Sequence, residues 1–221
     1  MRLRFFCAIV PLAIAACATQ PRTTPLPAAV NAEPRSTTQL AAAIKAAAQR
    51  SDQESDSKVR AELAAQAGAD ADACLALAPQ DAACLYGRAV ALGLDARAHP
   101  TRAGEILSTM LDSLARAEAA DPTYDDAGPA RVRALVLIRA PGWPLGPGDS
   151  EAGLVAARRA AALRPLFPPN LLALAEALAK SGDGNGAREN YARARAAASA
   201  LPAAADRDEW LREADQGLQR K

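Results

Sequence analysis

Histidine occurs once in this 221-residue chain, aromatic residues make up 4% of it, and neither sign of charge dominates, with 26 Lys and Arg against 25 Asp and Glu. One histidine nearly excludes His-based metal sites and hydrolytic triads. So few aromatics argue against a strand-rich fold, whose surfaces favour aromatic and β-branched side chains. Removing residues 1–16, which carry Arg2 and Arg4 and no acid, leaves 24 basic against 25 acidic groups. That balance lacks the basic footprint needed for nucleic-acid binding. What the chain has instead is alanine, about a quarter of its residues, with Leu, Arg and Glu. These are strong helix formers, so composition alone predicts an all-α fold, and the length suits one domain.

The longest apolar run, Phe5 to Ala16, has twelve residues and follows Arg2 and Arg4. A helix needs roughly 20 apolar residues to span a bilayer, whereas a secretory signal needs fewer. The run closes Ile14-Ala15-Ala16-Cys17, which resembles the bacterial lipobox, where the cysteine becomes lipidated. Cleavage after Ala18 at Ala16-Cys17-Ala18, releasing an unlipidated secreted protein, is the alternative. In the first reading residues 1–16 are a signal peptide, Cys17 carries lipid, and residues 17–35 are a spacer rich in Pro and Thr. Pro21, Pro25, Pro27 and Pro34 favour extended backbone there. Ala18 after the cysteine, with no acidic retention signal, favours the outer membrane by similarity to bacterial lipoproteins. The expected location is therefore the bacterial cell envelope, facing the periplasm, with the membrane reached only through the N-terminal lipid.

With Cys7 in the signal and Cys17 lipidated, Cys74 and Cys84 remain. Each lies five residues from Pro79, so across a helix hairpin they face each other. An exported chain permits a disulfide; two small buried thiols in an Ala-rich interface are the other reading. Two thiols without a neighbouring His or further Cys fall short of a metal site.

From Ser36 to Lys221 the apolar spacing is helical, and helices end in a recurring phrase. It reads Leu77-Ala78-Pro79, Ala119-Ala120-Asp121-Pro122, Ala162-Leu163-Arg164-Pro165 and Ala200-Leu201-Pro202. Prolines 79, 122 and 165 stand 43 residues apart, and 202 follows after 37. Self-similarity at such a period means stacked helix hairpins. Ser36-x-x-Gln39 predicts a capping box for a helix to about residue 50. Further helices are expected over about 56–67, stopped by Gly68, then 70–78, 81–95 and 102–120 capped by Thr101. The remainder are expected over 126–139, 149–163, 170–180, 186–200 and 204–219, the last a polar cap carrying Trp210.

Residues 165–202 combine Pro165, small residues Ala173, Ala175 and Ala177, a Gly182-Asp183 turn, then Ala187, Tyr191, Ala194 and Pro202. This resembles tetratricopeptide repeats, and the resemblance implies an α-solenoid of antiparallel hairpins whose concave face binds polypeptide segments. The spacing beyond that family's 34 residues is accounted for by longer helices and an enlarged turn at 128–149.

That turn leads from Arg131 and Arg139 through Ala140-Pro141-Gly142-Trp143-Pro144-Leu145-Gly146-Pro147-Gly148 to Asp149, a residue suited to capping the next helix. Together with Pro168-Pro169-Asn170-Leu171 it is similar to the T component of tripartite periplasmic (TRAP) transporters, a lipoprotein family. The resemblance implies partnership with a periplasmic solute-binding protein and no catalysis. Read as a site, the loop offers Trp143 as a flat apolar face and Arg131 and Arg139 as anion forks, flanked by Tyr124, Asp125 and Asp126, and the resemblance adds Asn170 as a binding residue. Read as packing, Trp143 plugs the hairpin and the arginines pair with Asp125 or Asp149.

Asp183-Gly184-Asn185-Gly186 is no calcium loop, since the positions that should bear oxygen ligands fall on Ala187 and Ala194. Neither a Gly-x-Ser-x-Gly elbow nor a phosphate-binding Gly-Lys-Ser/Thr motif occurs. The expectation is a binding module without cofactor or metal, partnered by an envelope or periplasmic protein, with a small ligand as the alternative. A fatty-acid analogue fed to the producing bacterium is expected to label the chain and to leave a Cys17→Ser variant unlabelled. Equal labelling of both would contradict the lipobox reading.

Overall fold

A computed structural model describes residues 35–220. The signal peptide read over 1–16, lipidation at Cys17 and all of the spacer but Arg35 lie outside the described residues. The described chain is α-helical, as composition predicted. Its helices are α1 (Thr37–Gln53), α2 (Ser57–Leu77), α3 (Ala82–Ala98), α4 (Ala103–Ala120), α5 (Tyr124–Arg139), α6 (Ser150–Leu163), α7 (Pro168–Lys180), α8 (Gly184–Ser199) and α9 (Ala205–Gln219). None is long and apolar enough to cross a membrane.

Local chemistry sets most of these boundaries. The Ser36–Gln39 capping box forms in both directions, with the Ser36 amide donating to Gln39 Oε1 at 2.8 Å and the Gln39 amide to Ser36 Oγ at 3.3 Å. Asp56, Asp81, Asp149 and Asp183 cap α2, α3, α6 and α8 through their carboxylates. Gly182 makes the α7–α8 turn at φ 89°, where a side chain would be strained.

Two expectations are corrected. Gly68 does not stop a helix: α2 runs through it as one element from Ser57 to Leu77. A lone glycine costs only about 1 kcal/mol in a helix, and the alanines around it carry the structure across. Thr101 does not cap α4, because it lies inside a short 3₁₀ turn, Pro100–Arg102, and α4 starts with no side-chain cap.

Successive helices pack as antiparallel hairpins, and the odd-numbered helices also pack on one another in series: α1 on α3, α3 on α5, α5 on α7 and α7 on α9. Among the described residues no two even-numbered helices approach backbone to backbone. Where α4 and α6 come nearest, long side chains bridge them. Glu118 of α4, only 7% exposed, takes Arg133 of α5 at 3.0 Å and Arg159 of α6. A stack closer along one row than the other bends toward the close row, so the odd-numbered helices form the inner, concave face.

Alanines permit this spacing. Ala67, Ala71, Ala89, Ala117, Ala130, Ala134, Ala157, Ala160, Ala175, Ala177 and Ala194 are fully buried among larger residues such as Leu40, Ile44, Leu85, Leu114 and Leu171. At Gly217 of α9 even a Cβ would run into the Tyr191 ring of α8, so that approach requires glycine. Trp210, on the same helix, meets Phe167 edge-to-face at 5.6 Å between centroids and is packed against the core.

Cys74 of α2 and Cys84 of α3 are joined across the Pro79 turn, with both residues fully buried and the Cα atoms 5.3 Å apart. A bridge between residues ten apart constrains the unfolded chain by about 3 kcal/mol. A Cys74→Ala, Cys84→Ala double variant is therefore expected to keep its helix content and lose about 6–12 °C in Tm. An unchanged Tm would show that the bridge contributes nothing to stability.

Candidate functional site

Of the five residues expected to form one site, the structure brings two into contact. Arg131 and Asn170 meet where α5 begins, and Tyr124 precedes Asp125, which Arg131 also binds. Arg139 lies at the other end of α5, eight residues or about 12 Å past Arg131, and Trp143 is in the loop beyond it.

The start of α5 is not right-handed. Asp125, Asp126 and Ala127 have φ values of 49°, 55° and 63°, a single left-handed turn without glycine, before the regular helix proceeds from Gly128 and Pro129. Each such residue costs about 1–2 kcal/mol, somewhat less for Asp. The turn redirects its carbonyls toward Arg131. Arg131 Nη1 donates to Asp125 O and Asp126 O, both at 3.2 Å, and to Asn170 Oδ1 at 3.1 Å; Nη2 donates to Asp125 Oδ2 at 3.0 Å. The guanidinium also stands 5.3 Å from the centre of the Phe167 ring. Hydrogen bonds from a charged donor stabilise by about 1.5–3 kcal/mol each, enough to offset the turn's strain.

Asn170, completely buried at the start of α7, completes the junction. Its amide donates to Asp126 O at 2.9 Å, to Ala160 O of α6 at 3.1 Å and to Arg164 O at 3.4 Å. From the other side the Tyr86 hydroxyl of α3 donates to Asp125 Oδ2 at 3.1 Å, and Lys45 Nζ of α1 lies 3.5 Å from Asp125 Oδ1. Asp125 and Arg131 thus tie α1, α3, α5 and α7 together.

Two grooves flank this junction on the inner face, each with one odd-numbered helix as floor and its odd neighbours as walls, and Tyr191 of α8 also borders the second. The first, about 200 Å³, lies over α3 between α1 and the start of α5, with Ile44, Ala48, Tyr86, Val90 and Tyr124 as its apolar lining. Tyr86 and Tyr124 meet there edge-to-face at 5.5 Å. The second, about 550 Å³, lies over α7 between α5 and α9, bordered by Arg139, Glu176, Tyr191, Glu209 and Glu213. Arg139 is engaged bidentately by Glu176, at 2.8 and 2.6 Å, instead of by Asp149. Tyr86 and Tyr124 thus line the first groove, whereas Tyr191, which borders the second, is a core residue only 5% exposed.

Burial pushes the Tyr86 phenol well above its ordinary value; Arg131 opposes the shift and Asp125 adds to it. Burial raises Tyr124 as well, helped by Asp125 and Asp81, and it raises Tyr191, with Arg220 opposing and Glu176 adding. Burial likewise raises the Glu213 carboxyl, with Arg139 opposing and Glu176 and Glu209 reinforcing.

The 140–149 loop is neither part of this junction nor a plug. Trp143 is 91% exposed and Leu145 77%. The backbone beneath them is fixed: Gly148 N donates to Pro141 O at 2.9 Å, Leu145 N to Gly142 O at 3.1 Å and Asp149 N to Leu137 O at 2.9 Å. Gly148 lies so close to Ala140 O that no Cβ fits. The loop borders a separate cleft of about 510 Å³ against the first turn of α4. Of the pairings considered for packing, Arg131 with Asp125 is present and Arg139 with Asp149 is not. Asp149 instead accepts the Glu151 and Ala152 amides as a cap.

Sequence reading missed Tyr86, Glu176 and Glu213. Tyr86 had one usable signal, since in a chain with three tyrosines each is a rare, half-polar aromatic. The glutamates had none, being indistinguishable from solvated helix faces. Comparison with protein-family models and with curated proteins finds no match to this chain.

Asn170→Ala would leave Ala160 O and Asp126 O without their amide donor and is expected to cost about 2–4 kcal/mol by denaturant titration. Arg139→Met, which breaks an exposed pair, is expected to cost no more than about 1 kcal/mol. Equal losses would contradict the distinction between junction and rim. The tyrosines give a pH dependence of fixed sign. Because their folded values lie above the unfolded value of about 10, their contribution is intact below pH 10 and is lost as pH rises through the folded values. Tyr86→Phe is expected to flatten that alkaline decline, and an identical alkaline profile would contradict it.

Proposed function

We propose that this protein is a polypeptide-binding module of the bacterial envelope, held by lipid at Cys17, that receives a partner segment across its concave face. The observation that carries this reading is the pairing of Tyr86 and Tyr124, two of the three tyrosines of an aromatic-poor chain, in the first inner groove. Tyrosine offers large contact area at small conformational cost together with a hydroxyl, and it is enriched where proteins bind one another. Size supports a polypeptide for the first groove. Its roughly 200 Å³ is below the 300–1,000 Å³ of small-molecule pockets and suits one inserted side chain.

A second reading, an accessory subunit of a TRAP-type solute uptake system, is favoured by the second groove. Its volume of about 550 Å³ falls within the small-ligand range, and it contains arginines. The commitment of Arg139 to Glu176 weakens it, because that guanidinium is not free for an organic acid.

The two readings separate by position-specific photo-crosslinking in the producing bacterium. A photo-reactive residue at Lys45 or Gln216, each bordering a groove, is expected to capture the same polypeptide. The same residue at Val155 on α6, 62% exposed, is expected to capture none. Capture independent of position, or none at either groove together with binding of an organic acid by calorimetry, would overturn the polypeptide reading.

A further inference from the structure

We propose that the edge of the stack formed by the turns α2–α3, α4–α5, α6–α7 and α8–α9 lies against a phospholipid bilayer, with Leu77, Leu166 and Leu201 entering its interfacial layer. This rests on the lipid-anchored reading and adds to it the face that meets the lipid. It does not depend on what the inner grooves hold.

Antiparallel packing sorts the turns onto two edges, and α1 starts at the same edge as the four turns that follow even-numbered helices. Cys74 Sγ near the end of α2 lies 3.7 Å from Thr37 O, Arg116 of α4 donates to Pro79 O at 3.2 Å, and Asn170 ties the start of α7 to Asp126 O of α5. Arg35, the first described residue, therefore stands at this edge, 18 positions after Cys17. A chain of that length reaches at most about 60 Å, more than the roughly 25 Å of α1. The covalent link alone would thus let either edge meet the lipid, and the surfaces of the two edges decide between them.

The near edge is apolar. Leu166 is 81% exposed, Leu77 58% and Leu201 40%, three of the six large apolar side chains exposed among the described residues. Pro79, Pro165 and Pro202 beside them are exposed too, and proline brings no backbone donor that lipid would leave unsatisfied. The ionisable residues of these four turns, Asp81, Asp121 and Arg164, are all engaged. Asp81 accepts the Cys84 amide at 3.0 Å, Asp121 accepts the Thr123 amide at 2.8 Å, and Arg164 donates to Leu163 O at 3.3 Å. The far edge displays Trp143 and Leu145, but its turns carry Glu54, Asp56, Asp149 and Asp183 against one full cation, Arg102. An anionic lipid surface disfavours that excess of acid.

The anchor makes this contact intramolecular, so the leucines need only choose the face. Full removal of one leucine from water contributes about 1.5–3 kcal/mol, and about 1.4 kcal/mol already favours one orientation tenfold. Partial entry of three leucines is enough. The helices then rise from the bilayer, both inner grooves open sideways, and Trp143 is displayed away from the lipid.

The test is photo-crosslinking of the full chain, purified from the producing bacterium, in vesicles of phosphatidylethanolamine and phosphatidylglycerol, with the photo-reactive residue at Leu166, Leu201 or Trp143. Phospholipid adducts are expected at Leu166 and Leu201, about tenfold above those at Trp143. With the photo-reactive residue moved to Leu77, Leu166→Glu with Leu201→Glu, both at exposed positions, is expected to lower its phospholipid adduct about tenfold while flotation with the vesicles stays unchanged. Adducts favouring Trp143, equal or absent adducts at both edges, or adducts with a second copy of the chain in place of lipid would overturn this inference and leave the anchor standing. A chain that does not float with the vesicles would overturn the anchor and this inference together.

Discussion

The inner face of this stack depends on how Arg131 holds the start of α5. Three consecutive left-handed residues without glycine do not persist unaided, and here the carbonyls they turn inward are received by one guanidinium and one buried amide. The same arrangement reaches α3 through Tyr86 and α7 through Asn170. The mid-stack junction is therefore a polar network lying between two largely apolar core clusters, one around α1–α3 and one around α5–α9. Networks of this kind act through completeness. Every buried polar group at the junction is worth keeping only while its partners remain, which gives the junction a defined geometry where apolar packing alone would tolerate sliding.

That geometry has a consequence for binding. α5 walls both grooves, contributing Tyr124 and Asp125 to the first and Arg139 to the second. A shift in its entry angle would alter both at once. Backbone strain next to a cleft is commonly a mark of function, because a relaxed helix start would be cheaper for folding alone. Here the strain places an aromatic ring and a carboxylate at the groove wall.

Much of the architecture was legible in the sequence because it rests on local rules. Proline after each second helix, aspartates at helix starts and a strict Ser36–Gln39 pair all act within a few residues, and the structure follows them. The Cys74–Cys84 pairing was legible as one of two alternatives, since symmetry about Pro79 brings the cysteines face to face in a hairpin. Gly68 and Thr101 misled because local preference is weak. An Ala-rich helix absorbs one glycine, and a 3₁₀ turn at Pro100 displaced the cap. Site residues were legible only where the residue type was rare. Arg131 and Asn170 do converge, but through a left-handed turn that no residue pattern announces, and Glu176 and Glu213 become distinctive only once α7 and α9 are seen to share a groove with α5. The 140–149 loop stands out in the sequence for its prolines, glycines and tryptophan. Its odd composition is explained by a tightly tied backbone that displays Trp143 away from both grooves.

The central claim, that Arg131 and Asn170 act as one unit in holding the inner face, is tested most directly by a double-mutant cycle on Arg131→Met and Asn170→Leu, followed by denaturant unfolding. The account predicts a coupling of about 2 kcal/mol, with the double variant much less damaged than the sum of the singles. Additivity within about 0.5 kcal/mol would contradict it, showing that the two side chains stabilise α5 independently.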